Sequence, residues 1–284
     1  MQRIQSAAFA VFGLCTGIVV GCAHAAQAPA ARTASTYSQG DLLNWFGCDP
    51  AHCDRASLAR LQAFDPDNAA LWLPAVAQAQ QTDPAAIEPA LEKVARGKHY
   101  DDYVYSHARE QALTALPKAM DFNTSQSVWS ALAHFRIASA IRPMAFDSLD
   151  DLCLRSHNTN SNRRAACVHV GFLLQTSPSL SNEIAGDSIV IANTGDSEQR
   201  VSALQDKDAA GWQVLQLERL SLRSRCDAPL MRMWIDALRR DDTEQAMAKE
   251  VLGTYGVPLK PPSGWSLPAP QPPPPPTEVV TCSK

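Results

Sequence analysis

The sequence predicts an all-α fold of stacked antiparallel helix pairs, an irregular α-solenoid or helical array, and three observations carry that expectation. Apolar residues recur at helical spacing: Leu71, Trp72, Ala75, Val76 and Ala79 make one stripe, and Leu230, Met233, Trp234, Ala237 and Leu238 another. Helix-start signals are frequent, enough for about ten helices at ordinary helix length. Glycine is scarce, with 13 residues in 284, and β-branched runs are few. The exception is the stretch 184–192, whose Ser188-Ile189-Val190-Ile191 centre reads as a short strand.

Residues 1–21 carry one positive charge, Arg3, then an apolar run broken by small residues, the pattern of a secretory signal too short to span a membrane. Val19-Val20-Gly21-Cys22 resembles the bacterial lipobox, which implies cleavage before Cys22 and a lipid on that cysteine. Ala23-His24-Ala25 offers ordinary cleavage before Ala26 instead. The lipobox resemblance, with Ala23 and not Asp after the cysteine, implies an outer-membrane destination, the membrane being met only through the N-terminal lipid. Residues 22–36 read as a flexible linker, 37–257 as the helical domain and 258–284 as a Pro-rich tail.

Either cleavage leaves Cys48, Cys53, Cys153, Cys167, Cys226 and Cys282, an even set that reads as disulfides in an exported chain. Cys48 and Cys53 bracket a short loop, and Cys153 and Cys167 flank a polar, turn-rich one; Cys226 would then take Cys282 and tie the tail to the body. Cys48, His52 and Cys53 also offer three zinc ligands, but an oxidising compartment favours the disulfide.

Within the helical domain, Asp65-Pro66-Asp67 ends one amphipathic helix because the residue before proline disfavours the α region, and Asn68 caps the next. Two helices joined this tightly pack side by side. Pro66, Trp72 and the small residue Ala95 keep the spacing of a tetratricopeptide junction, and the stretch 61–79 resembles that repeat family. The chain departs from it at Ala75, Val76 and Ala79, and no second proline recurs at the period of about 34 residues. The resemblance implies stacked helix pairs with a groove for a protein or peptide. The decamer 63–72 also aligns with 203–212, sharing Ala-Ala-x-Trp after a polar residue, as two related helix starts would.

Further along, Asp83-Pro84 places proline in a first turn, and Asp196-Ser-Glu-Gln199 and Asp242-Thr-Glu-Gln245 read as capping boxes. Pro74, Pro89 and Pro117 are expected to kink or break helices. Trp72, Trp129, Trp212 and Trp234 sit in helical stripes and are expected to pack in the core. Ten prolines between Pro258 and Pro276 exclude helix and sheet and favour polyproline II, as a solvated tail, a spacer or a groove ligand.

Once Arg3 leaves with the signal, 24 basic residues face 29 acidic ones, with no basic run beyond a pair, which argues against nucleic acid and for a protein partner. The densest group of functional side chains lies between Lys98 and Glu110 and holds three of the five tyrosines. As a helix it would align His99, Tyr103, His107 and Glu110 on one face and Asp101, Tyr105 and Arg109 on another. The two histidines would stand about 12 Å apart, too far to share a metal. Tyr and Arg suit a partner-binding surface, so His99, Tyr103, Tyr105, His107, Arg109 and Glu110 are the candidate contact residues. His134 and His169 read as packed or surface histidines. No Gly-x-Ser-x-Gly, His-Glu-x-x-His or phosphate-binding glycine loop occurs. These features favour a binding scaffold in the cell envelope that needs no cofactor or metal and has no catalytic residues. An envelope hydrolase working through His99, Asp102 or His107, and an inhibitor or immunity protein against an envelope toxin, are the alternatives.

Overall fold

The computed structural model describes residues 38–48, 52–116, 131–132, 135, 142–155, 160–223, 227–240 and 243–266. The signal and lipidation site, Trp129, Pro117, His134, Cys226 and Cys282 lie outside them. The described residues form an all-α fold of helices packed against one another. The nearest approach to a strand is a single parallel bridge between Asn68 and His99. Residues 184–192, expected as a strand, lie in a helix.

The order is α1 (Gln39–Phe46), α2 (Arg55–Phe64), a 3-10 turn (Ala69–Trp72), α3 (Leu73–Thr82), a second 3-10 turn (Pro84–Ala86), α4 (Ile87–Ala95), α5 (Val104–Ala115), α6 (Phe146–Asp150) running into a π-turn (Asp151–Arg155), α7 (Ser161–Gln175), α8 (Leu180–Asn193), α9 (Ser197–Arg223), α10 (Ala228–Arg239) and α11 (Glu244–Thr254). Chain neighbours pack as pairs: α1 with α2, α3 with α4, α7 with α8, α8 with α9, and α10 with α11.

Local chemistry starts and stops these helices. Ser38 and Asp41 form a capping box at α1, and Asp41 also accepts from Arg60 of α2 at 3.0 Å through Nε. Arg60, with Ser38 and Ser57, holds the Asp41 carboxyl far below the usual carboxylate range. Asn68 caps the first 3-10 turn through Ala70 N, and Asp83 caps the second through Ala85 N. Pro74 and Pro89 introduce no kink: each lies in the first turn of its helix, behind a 3-10 turn, where a missing N–H costs nothing. At α11 the cap is Thr243, the expected Asp242 lying outside the described residues, while at α9 Asp196 caps as expected but Gln199 turns to the Thr194 hydroxyl.

Both local disulfides are formed, Cys48–Cys53 across the α1–α2 turn and Cys153–Cys167 between the π-turn and α7. The chain-entropy relation puts loops of 5 and 14 residues at about 2 and about 3 kcal/mol respectively.

Buried apolar side chains gather in two clusters. The first joins α1–α4, α6, the π-turn, α7 and part of α8 around Trp45, Leu71, Tyr100 and Phe146; the second joins α5, α9, α10 and α11 around Tyr105, Phe135, Trp234 and Met247. In α3 the buried face is Leu73, Val76, Ala77 and Ala79, while Ala75 is exposed and Trp72 half-buried, so the predicted stripe is rotated. Trp72 instead receives Lys93 over its ring. The α10 stripe holds, with Met233 half-buried at its edge. The decamers 63–72 and 203–212 are not related helix starts: the first crosses a helix end and a turn, and the second lies inside α9.

Helix α8 is packed by α7 on one side and α9 on the other, which is why its apolar residues show no single face. It crosses α7 closely at two glycines. A Cβ on Gly186 would stand 2.5 Å from the Gly171 carbonyl oxygen, and one on Gly171 would stand 2.7 Å from Val190 Cγ2. Alanine gains about 1 kcal/mol of helix propensity over glycine, but overpacking against backbone costs about 1–3 kcal/mol. Gly186→Ala is therefore expected to destabilise the protein by up to about 2 kcal/mol in urea unfolding; a raised midpoint would contradict this crossing.

Candidate functional site

The segment 98–110 and the turn 65–69 are two halves of one clamp. Asp65 follows the last turn of α2, and Asn68 opens the next element. Across from them the chain leaving α4 runs close enough that Gly97 admits no side chain: a Cβ there would lie 2.7 Å from Ala69 Cβ. The backbones join by Lys98 N–H to the Asp67 carbonyl at 2.8 Å and Ala69 N–H to the His99 carbonyl at 2.9 Å. Asn68, fully buried, donates to the Asp101 carbonyl at 2.7 Å and accepts from Asp101 N–H at 3.0 Å. Asp65, also buried, takes the Tyr103 hydroxyl at 2.9 Å and meets His99 Nε2 at 3.0 Å.

This clamp overturns the expected single helix over 98–110. Asp102 accepts from Val104 N–H at 3.1 Å and Tyr103 adopts φ 56°, a left-handed conformation that ends any helical run, so α5 begins at Val104. His99, Asp101 and Tyr103 consequently share no helix face with His107, Glu110, Tyr105 or Arg109. Tyr103 packs edge-on to Trp45, with ring centroids 6.3 Å apart, and is buried. Tyr105 is buried against Phe135, and His107 is buried beside Phe46 with Gln111 on its Nε2. Arg109 reaches the Leu238 carbonyl at the end of α10. His99, Arg109 and Glu110 are half-buried, and they are the members of the six that retain surface.

Cys48 and Cys53, in a disulfide, hold no free thiolates for a metal beside His52. The other buried acids are structural in their bonding. Asp102 accepts from Asn182 of α8 at 2.8 Å; burial raises its pKa and Asn182 opposes the rise. Burial, with Asp102 next in the chain, pushes the Asp101 carboxyl up to about 7. Asp187 in α8 went unremarked in the sequence. It is fully buried, accepts from Gln175 at 2.6 Å, and its second oxygen has no hydrogen-bond partner among the described residues. Burial, aided by Glu183 and Asp206, pushes it up to about 7. The signal for it was an acid lodged inside an apolar run, Ile184-Ala-Gly-Asp-Ser-Ile189.

A concave surface with exposed functional groups lies elsewhere among the described residues. Between α10 and α11 an open cleft of about 500 Å3 is lined by Ala228, Pro229, Arg232, Met233, Asp236, Arg240 and Glu250. Arg240 pairs with Glu250 across it, joining the two helices. Its lining mixes charge of both signs with Ala228, Pro229 and Met233. Arg109 ties α5 to the Leu238 carbonyl, two residues before Arg240 of the cleft.

No protein family, curated protein or solved structure matches the chain.

Two measurements test the buried polar groups. Tyr103→Phe removes a donor from the buried Asp65 carboxylate and is expected to cost about 1.5–3 kcal/mol in urea unfolding. Asp187 binds its proton more tightly folded than unfolded, so its contribution to stability is full below about pH 4 and is lost as pH rises through about 7. Between those values the slope from this one group is up to about 1.4 kcal/mol per pH unit. Asp187→Asn is expected to flatten the stability profile over that window; an unchanged profile would contradict the assignment.

Proposed function

We propose that this chain is an exported envelope protein, lipid-anchored at Cys22, whose tetratricopeptide-like helix pairs bind another protein or peptide without a cofactor. The observation that supports binding best is the open, ion-paired cleft on α10 and α11. An open cleft with both charge signs presents groups that steer and orient a polar partner surface. The two local disulfides support an oxidising compartment. Among the described residues no helix is long and apolar enough to cross a membrane. Further contact residues are His99 in the clamp and Arg109 and Glu110 on α5, which keep surface, while Tyr103, Tyr105 and His107 are buried and support the fold around them.

The test is affinity capture of the intact protein from its own envelope, beside an Arg232→Glu/Asp236→Lys variant that reverses two of the four charges lining the cleft. The expected result is a partner whose affinity falls by about tenfold or more in the variant, with unchanged helical circular dichroism. The mass of the N-terminal peptide in the same preparation reads the lipid on Cys22. Equal capture by both proteins would sink the cleft as the contact.

A further inference from the structure

Helix α11 ends on Gly256, which takes φ 65° so that Val257 N–H reaches the Leu252 carbonyl at 2.9 Å and Gly256 N–H the Gly253 carbonyl at 3.1 Å. This closure throws the chain across the helix end and onto α9. There Trp212 Nε1 donates to the Pro258 carbonyl at 2.8 Å, and Gln213 Nε2 donates to the Leu259 carbonyl at 3.3 Å. Exposure alternates along the strap: Val257, Leu259 and Pro261 are half-buried, and Pro258, Lys260 and Pro262 are exposed. That period of two is the mark of an extended segment lying on a surface. A turn then brings the chain back. Trp265 N–H bonds the Pro262 carbonyl at 3.1 Å, and Gly264 takes φ 80°, the value a type II turn requires at its third residue. Trp265 thereby sets its ring edge-on to Trp212, with centroids 5.5 Å apart.

An indole N–H on a prolyl carbonyl, a neighbouring amide on the next carbonyl and an aromatic wall are the elements that recognise an extended, proline-bearing strand. Two apolar side chains of α9 also stand exposed beyond the strap, past Gln205 and Asp208. Val201, about three turns N-terminal of Trp212 on the same side of α9, is 54% exposed, and Leu204 near it is 44% exposed. We propose that the Trp212–Gln213 shelf of α9 is a docking site for a proline-rich extended peptide of a partner protein, closed in cis by this chain's own residues 257–265. The strap is an intramolecular competitor, present at an effective concentration of about millimolar. A partner peptide displaces it by taking the same Trp212 and Gln213 side-chain donors. The site lies apart from the α10–α11 cleft, so loss of either assignment leaves the other standing.

The test is fluorescence anisotropy of a labelled synthetic peptide, Val-Pro-Leu-Lys-Pro-Pro-Ser-Gly-Trp-Ser, titrated with the full chain. Leu259→Ala/Trp265→Ala loosens the strap. It is expected to bind the peptide at least about tenfold more tightly than the wild type, because the competitor is weakened. In that background Trp212→Phe keeps the ring and removes the donor, and is expected to weaken binding about tenfold. A peptide with all three prolines replaced by alanine is expected to bind about tenfold more weakly for want of a preset extended backbone. Should the double substitution unfold the protein, Gly264→Ala opens the strap alone, since it strains the turn and its Cβ meets nothing within 4 Å. Equal binding by the opened and wild-type proteins, indifference to Trp212→Phe, or equal binding of the alanine peptide would each overturn the proposal.

Discussion

The close crossing of α7 and α8 at Gly171 and Gly186 is the constraint to which the other elements adjust. With no side chains at the crossing, the two backbones approach until each glycine position is filled by the opposite helix. α8 is thereby held where it serves both clusters, giving Ala185 and Ile189 to the first and Leu180 and Ile184 to the second. Polar ties from every side converge on it. Asn182 meets Asp102 ahead of α5, Asn193 donates to the Cys153 carbonyl, and Glu244 of α11 accepts from Leu180 N–H. A helix touched on all sides has little solvated surface, and the fully buried Asp187 is one result.

The clamp between residues 65–69 and 97–103 works by a different principle. It has almost no regular secondary structure, so its backbone groups must find partners one at a time. Asn68 alone satisfies three of them, at Ala70 N, Asp101 N and the Asp101 carbonyl. Tyr103 is held in its left-handed conformation by the Asp65 carboxylate and by Trp45. A segment dense in Tyr, His and Asp therefore spends most of its polar atoms on the fold. The α10–α11 cleft, with plainer residues, leaves its groups facing outward.

Much of the architecture was legible in the residues. Asp65-Pro66 stops a helix by backbone sterics and Asn68 caps by side-chain geometry, and both depend only on near neighbours. The two disulfides were legible because the cysteines are close in the chain. What failed depended on distant contacts. Ile184–Ile191 looked like a strand because burial on two sides erases helical periodicity. His99–Glu110 looked like one amphipathic helix because nothing local announces that Asp65 and Asn68 will capture Tyr103 and Asp101. The strap on α9 left one readable trace, Gly256 two residues before Pro258, which is the composition of a helix end followed by an extended exit.

The order of the bridged cysteines has a consequence for how the chain matures. Each described disulfide joins cysteines that follow one another in sequence, Cys48 with Cys53 and Cys153 with Cys167. A polypeptide emerging N-terminus first presents the earlier couple before the later one exists, so these two couples do not compete with each other for partners. Each cross-link can thus be in place before the helices on either side have found their final neighbours.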